Sequence, residues 1–169
     1  MSELDRQNLI GMAPNEMESF FASLGVREFH ARQVLQWIYK RGTNDFSQMT
    51  DLSKDLRDKL QQLARVAIPE TIAVQQSSDN TRKWLLEFED GNCIETVFIP
   101  EEDRGTLCVS VQVGCSLNCK FCATGRQGFS RNLSTAEIIG QLLTVKADLQ
   151  VLGYGDRPIT NVVMMGMGE

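Results

Sequence analysis

The sequence of 169 residues lacks several features that mark common classes of protein. No apolar run approaches the roughly 20 residues that a membrane-spanning helix needs, so we expect no membrane segment. The first residues do not show a basic stretch followed by an apolar one, which argues against a secretory signal. We therefore expect a cytoplasmic protein, whose five cysteines stay reduced and serve metal or redox chemistry before a disulfide scaffold.

Negative charge is missing from one long stretch of an otherwise acidic chain. The net charge of −5 argues against indiscriminate nucleic-acid binding. Between Asp103 and Glu137, however, there is no acidic residue, whereas four basic residues lie there: Arg104, Lys120, Arg126 and Arg131. The stretch is either a solvated loop or a local site for a polyanion.

The first 68 residues are predicted to form a helical accessory domain that binds RNA. Residues 14–66 carry apolar side chains at helical spacing, which predicts three amphipathic helices. Asn15 with Glu18 has the pattern of a capping box at the start of the first helix, and Ser53 is a candidate N-cap of the third. A candidate RNA-facing patch, equally consistent with the ordinary packed and solvated sides of a helix, comprises Trp37, Tyr39, Lys40 and Arg41.

After Pro69 the apolar period changes from helical to two, which indicates strands. Two strand-like runs flank Asp90-Gly91, a strong hairpin signal, and residues 69–104 are predicted to be a hairpin and linker region. Next come a strand through "TLCVSVQVGC", a cysteine-containing loop and a helix that Ser134 and Glu137 cap. The last segment, "ITNVVMMGMGE", is predicted to be a buried strand.

This order of elements is a βαβ unit, so its two strands should be parallel and ligands should gather at their carboxyl ends. We predict an α/β fold in which a small helical domain and a β-hairpin lead into the first βαβ unit of a (β/α) barrel. A full barrel needs on the order of 200 residues or more, so residues 105–169 are expected to be its incomplete N-terminal part. An open sheet edge after "NVVMMGM" is a predicted aggregation site.

Cys115, Cys119 and Cys122 are crowded into eight positions, with no fourth cysteine beside them. A structural zinc site needs four ligands, and the fourth would have to be one of Cys93, Cys108 and His30. A thioredoxin-like Cys119–Cys122 pair leaves Cys115 without a purpose. Three thiolates on a tight loop suit a 4Fe–4S cluster whose fourth iron is open to a substrate or cofactor. The cluster is the favoured interpretation, and the zinc site remains an alternative.

The motif Cys115-x3-Cys119-x-Phe121-Cys122 resembles that of the radical S-adenosylmethionine (SAM) superfamily, and "MMGMGE" resembles its glycine-glutamate strand. Longer segments, such as "RQVLQWIY" and "TLCVSVQVGCSLNCKFCATGRQGFSRNLSTAEIIGQ", are similar to the RlmN family of bacterial RNA methyltransferases. The resemblance implies that SAM binds the open iron and that Gly168 and Glu169 approach its amino group. It also implies methylation of C2 of adenine in 23S rRNA and tRNA, with an electron donor of the flavodoxin or ferredoxin type.

The same resemblance implies roles for two residues outside the cysteine loop. Glu95 matches the family's proton acceptor. Strand alternation places Glu95 in a mainly apolar row with Cys93, Val97 and Ile99, where burial would make it a stronger base, although the pattern also fits a solvent-facing strand. Cys108 matches a cysteine that pairs transiently with the methyl-carrying cysteine. That carrier has no counterpart in these residues, so we expect the 169-residue chain alone to be inactive.

Two other functions remain open beside this one. A Cfr-like enzyme shares the cluster motif but methylates C8 of the same rRNA adenine, and spacing does not distinguish the two. A non-catalytic, zinc-bound RNA-binding module would use the same cysteines structurally. For the favoured methyltransferase function, the residues after the cluster are candidates for phosphate contacts or base stacking, namely Arg126, Gln127, Phe129 and Arg131.

Overall fold

A computed structural model of the chain describes residues 6–117 and 119–169. The chain divides into two compact units, Met1–Ala67 and Ile68–Glu169. Helices and strands occur together along it, so the predicted α/β class is confirmed. Within the described ranges, every helix is too short or too polar to cross a membrane.

The first unit contains the three predicted helices, α1 (Pro14–Ser23), α2 (Phe29–Tyr39) and α3 (Lys54–Leu63), with a 3₁₀ turn at Phe46–Gln48. Their apolar faces, together with Leu9 before α1, supply the buried core, which includes Leu9, Met17, Phe21, Val34, Ile38, Leu56 and Leu60. Two short strands, β1 (Gln7–Asn8) and β2 (Ala64–Arg65), pair in parallel. This pair was not predicted, because two residues are too few to show an alternating pattern.

The predicted start of α1 is wrong by two residues. Ala13 is the N-cap residue, Pro14 opens the helix, and the Glu16 carboxylate accepts a hydrogen bond from the Ala13 amide at 2.7 Å. Proline suits the first helical position because its φ is preset and that position needs no amide hydrogen. The predicted cap of α3 is confirmed, since Ser53 Oγ accepts from the Leu56 amide at 3.3 Å.

The second unit is built on a five-stranded sheet in the order β3-β4-β5-β6-β9. Its strands are β3 (Glu70–Gln76), β4 (Arg82–Glu87), β5 (Cys93–Pro100), β6 (Gly105–Cys108) and β9 (Asn161–Val163). The pairs from β3 to β6 are antiparallel, whereas β6 and β9 are parallel. The predicted hairpin between β4 and β5 is confirmed, with Gly91 at φ 77° in its turn. Residues 69–104 thus contribute three strands to the sheet that holds β6 and β9.

The strand expected through residues 106–115 is broken in two. β6 ends at Cys108, and β7 (Gln112–Gly114) pairs with β8 (Phe129–Asn132) in a separate two-stranded sheet. The short helix α4 (Ala123–Gln127) lies in the loop between β7 and β8. The alternating sequence pattern runs through the break, so it did not reveal the change of partner.

Helix α5 (Thr135–Val151) connects β8 to β9. Its predicted capping box is confirmed, because Ser134 Oγ accepts from the Glu137 amide at 3.2 Å and the Glu137 carboxylate accepts from the Ser134 amide at 2.7 Å. Val145 and Leu149 are buried as expected, but Leu152 is exposed because the helix has ended there. The core between helix and sheet includes Trp84, Leu86, Ile94, Phe98, Leu107, Val145 and Leu149.

Candidate active site

A cavity of about 660 Å³ in the second unit brings together residues from four segments of the chain. These segments are β5, the end of β6, the loop after β7 and the residues that follow β9. The cavity lies within the usual range of small-molecule sites, roughly 300–1,000 Å³. Every residue that the sequence predicted for the site lines it: Glu95, Cys108, Cys115, Cys119, Cys122, Gly168 and Glu169.

Strand register explains how β5 and β6 contribute to this cavity. Val97 on β5 lies opposite Cys108 on β6, and both side chains point to the cavity face of the sheet. Glu95 lies two residues before Val97 and therefore faces the same side. The alternate residues of β5, Ile94 and Thr96, are buried on the opposite face.

The residues after β9 run close along the break between β6 and β7. The Gly166 amide donates to the Val109 carbonyl at 3.1 Å, and the Val111 amide donates to the Met167 carbonyl at 2.8 Å. Gly168 has φ 103°, and a Cβ there would lie only 2.7 Å from Gln112 Cγ. Glycine is needed at this position for both its backbone conformation and its closeness to the neighbouring chain.

The cysteine loop begins beside the end of the chain. The Cys115 amide donates to the Gly128 carbonyl at 3.0 Å, which closes the base of the loop. Cys115 Sγ lies 3.7 Å from the Glu169 backbone oxygen, within hydrogen-bonding range for sulfur. A second bond, from the Cys122 amide to the Cys119 carbonyl at 3.0 Å, forms a tight turn within the loop.

The cavity thiols have different acidities. Hydrogen bonds from the backbone amides of Gly125 and Thr124 lower the pKa of Cys122, which favours the thiolate that binds metals. Burial raises the pKa of Cys108. A hydrogen bond with the Met165 backbone lowers it by less, and the negative charge of Glu169 raises it further. Cys108 is therefore held as a neutral thiol while Cys122 is biased towards ionisation.

The three cysteines of the loop can be compared with the ligands that a 4Fe–4S cluster needs. Among residues 6–117 and 119–169, no three side chains of His, Cys, Asp or Glu are grouped closely enough to hold one metal ion. The thiolates of a 4Fe–4S cluster bind different irons and need not converge on one point. Three cysteines that line one cavity, one of them with a lowered pKa, are therefore a suitable set for such a cluster.

The expected burial of Glu95 is wrong. Its side chain is 47% exposed, and its Oε1 lies 2.8 Å from Lys83 Nζ. The apolar row was identified correctly, but that face of the sheet lines an open cavity and not the core. Lys83 was missed as a site residue, although strand alternation in "TRKWLLEF" places it on the same face as Leu85, which pairs with Glu95.

The structure pairs Arg131, a candidate for phosphate contact or base stacking, with acidic side chains of its own chain. Its guanidinium donates to Asp90 at 2.7 Å and to both oxygens of Glu137 at 2.7 and 2.9 Å. Two carboxylates thus neutralise a charge that the sequence left without a partner. Phe129 remains exposed, as does Arg126, which lies in α4.

The candidate RNA-facing patch on α2 is only partly exposed. Trp37 donates its indole N–H to Asp51 at 2.6 Å, and the Arg41 guanidinium lies 3.7 Å from the centre of its ring. Tyr39 accepts a hydrogen bond from the Gly11 amide at 3.0 Å, so its hydroxyl is engaged within the unit. Lys40 and Arg41 are exposed.

The fold with its cysteine-lined cavity matches part of a solved radical SAM methyltransferase. The crystal structure of a radical SAM methyltransferase from Sphaerobacter thermophilus matches it with a TM-score of 0.87 and 38% sequence identity. The match covers 96% of this chain and 47% of that chain.

Relatives in sequence narrow the class further. Residues 7–66 match the family model of the ribosomal RNA large subunit methyltransferase N-terminal domain. The dual-specificity RNA methyltransferase RlmN of Marinobacter nauticus is 52% identical over 98% of this chain and 45% of its own length. The RlmN of Saccharophagus degradans is 56% identical over 96% of this chain and 41% of its own. The predicted resemblance to the RlmN family is confirmed, and the chain spans less than half the length of these relatives.

Proposed function

We propose that this protein is a radical SAM RNA methyltransferase that methylates C2 of adenosine in 23S rRNA and tRNA. The observation that carries the proposal is the convergence of seven predicted residues, from four separate segments, on one cavity of about 660 Å³. The similarity to proteins named RlmN supports the choice of substrate.

Cys115, Cys119 and Cys122 would hold a 4Fe–4S cluster, and the remaining cavity would take SAM. Gly168 permits close approach of the backbone, and the Glu169 carboxylate would accept hydrogen bonds from the SAM amino group. When bound and reduced by a flavodoxin- or ferredoxin-type donor, these cofactors supply radical chemistry at a carbon whose hydrogen is not acidic. The exposed apolar side chains of Leu117 and Phe121, which also line the cavity, would shield the site from water.

Two residues of the chain, Glu95 and Cys108, would carry out the proton transfer and the thiol chemistry beside the cofactors. Glu95 would accept the proton from C2 of the adenine at a carboxylate oxygen, while Lys83 holds that carboxylate in place. Burial raises the pKa of Cys108 and keeps it a thiol at rest. After losing its proton, Cys108 would attack the sulfur of the methyl-carrying cysteine in the protein–RNA adduct. The bond between that sulfur and the methylene carbon breaks as the transient disulfide forms, and the carbon keeps the electron pair and takes up a proton to become the methyl group. The five cysteines are free thiols, as they would be in the cytoplasm, where we place the protein.

RNA would contact two exposed groups of residues. Phe129 presents an exposed ring near the cysteine loop that can stack on an unpaired base, and Arg126 can contact phosphate. In the first unit, Lys40 and Arg41 present positive charge just after the end of α2.

The test is a metal and product analysis of the full-length enzyme. After anaerobic reconstitution we expect about four irons and four sulfides per chain, a brown protein and C2-methyladenine in RNA by mass spectrometry. Cys115→Ala should lose iron and activity. Cys93→Ala is the matched control, because Cys93 lies beside Glu87 on the hairpin and should keep both.

Two outcomes would overturn the proposal. One zinc per colourless chain would indicate a non-catalytic RNA-binding module. C8-methyladenine in place of C2-methyladenine would indicate the Cfr-like reaction.

A further inference from the structure

We propose that Ser110 is a positioning residue that holds Glu95 and the SAM-binding segment Gly166–Glu169 in a fixed relation. This inference rests on the proposed function and extends it to a residue that does not line the cavity. Ser110 lies in the break between β6 and β7, and it is completely buried.

The Ser110 hydroxyl joins two segments through one oxygen atom. Its Oγ donates to the Glu95 backbone carbonyl at 2.6 Å and accepts from the Met167 amide at 2.9 Å. Glu95 carries the proposed proton acceptor, and Met167 lies between the two glycines of the proposed SAM segment. A shift of either backbone therefore breaks a buried hydrogen bond or moves the other segment with it.

The serine itself is held by the side chain of Gln141 on α5, which is also completely buried. Gln141 Oε1 accepts from the Ser110 amide, and Gln141 Nε2 donates to the Ser110 carbonyl, each at 2.9 Å. The amide side chain thus replaces a strand partner at the point where the backbone leaves one sheet for the other. It satisfies polar groups that would otherwise be buried without partners.

Gly166 shows how closely this arrangement is packed. A Cβ at that position would lie 2.6 Å from Ser110 Oγ and 2.8 Å from both the Ser110 amide nitrogen and the Val109 carbonyl oxygen. At Gly166 there is therefore no room for a side chain, and the backbone of the segment Gly166–Glu169 passes directly beside the Ser110 hydroxyl. Among the described residues, the hydrogen-bond partners of Ser110 Oγ are the backbone groups of Glu95 and Met167, so Ser110 acts through these two residues.

The test compares two variants of the full-length, reconstituted enzyme. Ser110→Ala removes the hydroxyl and leaves the Glu95 carbonyl and the Met167 amide without this partner. Thr144→Val is the matched control, because Thr144 is buried in the same unit and its hydroxyl also donates to a backbone carbonyl, that of Pro69 at 3.3 Å. Thr144 does not line the cavity.

We expect Ser110→Ala to raise the SAM dissociation constant about tenfold and to lower kcat, with the KM for RNA unchanged. Thr144→Val should leave the SAM dissociation constant unchanged even if it lowers the melting temperature. Ser110→Thr, which keeps the hydroxyl, should restore part of the SAM affinity. A purely structural role for Ser110 would reduce the active fraction without this selective change in SAM binding.

Hydrogen exchange supplies a second measurement that does not depend on turnover. In Ser110→Ala the Met167 amide should exchange at least tenfold faster than in the parent, whereas in Thr144→Val it should not. Equal SAM affinity and equal Met167 protection in Ser110→Ala and its parent would overturn the inference. If the parent itself binds neither cluster nor SAM, the proposed function fails instead, so the two failures are distinguishable.

Discussion

Lys83 Nζ lies 2.8 Å from Glu95 Oε1, on the face of β4 and β5 that borders the cavity. The two side chains are 40% and 47% exposed, so water screens the pair and its contribution to folding is small. Its value for the proposed reaction is orientation, because the ammonium holds the carboxylate at one position beside the cavity.

Replacing Lys83 with methionine should therefore affect activity more than stability. We expect Lys83→Met to lower kcat about three- to tenfold and to change the free energy of unfolding by less than about 1 kcal/mol. Glu95→Gln should lower kcat by about 100-fold or more, because it removes the proton acceptor itself. Single-turnover methylation and urea unfolding measure the two effects.

Glu101→Gln is the matched control for the loss of an exposed ion pair, since Glu101 pairs with Arg104 outside the cavity. It should leave kcat unchanged. Full activity in Lys83→Met would show that Glu95 needs no ionic partner.

Arg131 joins the hairpin turn to the start of α5 through Asp90 and Glu137. Breaking this bridge should destabilise the second unit. We expect Arg131→Met to lower the free energy of unfolding by about 1–3 kcal/mol at pH 7, because two charge-assisted contacts are lost. Arg126→Met, which replaces an exposed arginine of the same basic stretch, should have little effect. Urea unfolding of both variants is the measurement.

The destabilisation in Arg131→Met should depend on pH. Burial alone would raise the pKa of Glu137, but hydrogen bonds from Arg131 and Ser134 outweigh it, so its pKa lies below the ordinary value of 4.5. A lowered pKa contributes stability that is complete above that ordinary value and is lost as the pH falls through the folded-state pKa. The difference between parent and Arg131→Met should thus shrink below about pH 4. A constant difference from pH 7 to pH 3 would contradict this account.

A comparison of Gly168 with Gly153 separates two costs of adding a side chain, namely backbone strain at positive φ and steric overlap with neighbouring atoms. Both have positive φ, but a Cβ at Gly153 meets nothing within 4 Å, whereas one at Gly168 overlaps Gln112 and Val111. Gly153→Ala should cost about 1–2 kcal/mol of backbone strain only. Gly168→Ala adds steric overlap, so we expect about 1–3 kcal/mol more and a clear loss of SAM affinity. Scanning calorimetry measures the stability of both variants, and titration calorimetry measures their SAM affinity. Equal losses in Gly153→Ala and Gly168→Ala would mean that the close approach of Gly168 to Gln112 is unimportant.

The 169-residue chain alone should bind the cluster without methylating RNA. It contains the three loop cysteines, so iron and sulfide should be retained after reconstitution. It spans less than half the length of its RlmN relatives, so we expect it to lack parts that the proposed methyl transfer needs. The full-length enzyme is the positive control in the mass-spectrometric assay. Detectable C2-methyladenine from the 169-residue chain would refute this expectation.

Local signals predicted much of the fold. The three helices of the first unit, the hairpin at Asp90-Gly91 and the capping box at Ser134 depend on residues within a few positions of one another, and they were confirmed apart from the start of α1. The break between β6 and β7 was not predicted, because the backbone there bonds to the side chain of Gln141, which lies 31 residues from Ser110. Alternation of apolar residues does not show which partner a strand pairs with.

The sequence by itself determined the identity and spacing of the cysteines, and with them the kind of cofactor that this loop suits. Only the tertiary structure decided the surroundings of the charged residues: Glu95 faces an open cavity beside Lys83, and Arg131 is neutralised by two carboxylates. The physical reason is that ligand chemistry depends on side-chain type and short spacing. Burial and ion pairing depend on which distant segments the fold brings into contact.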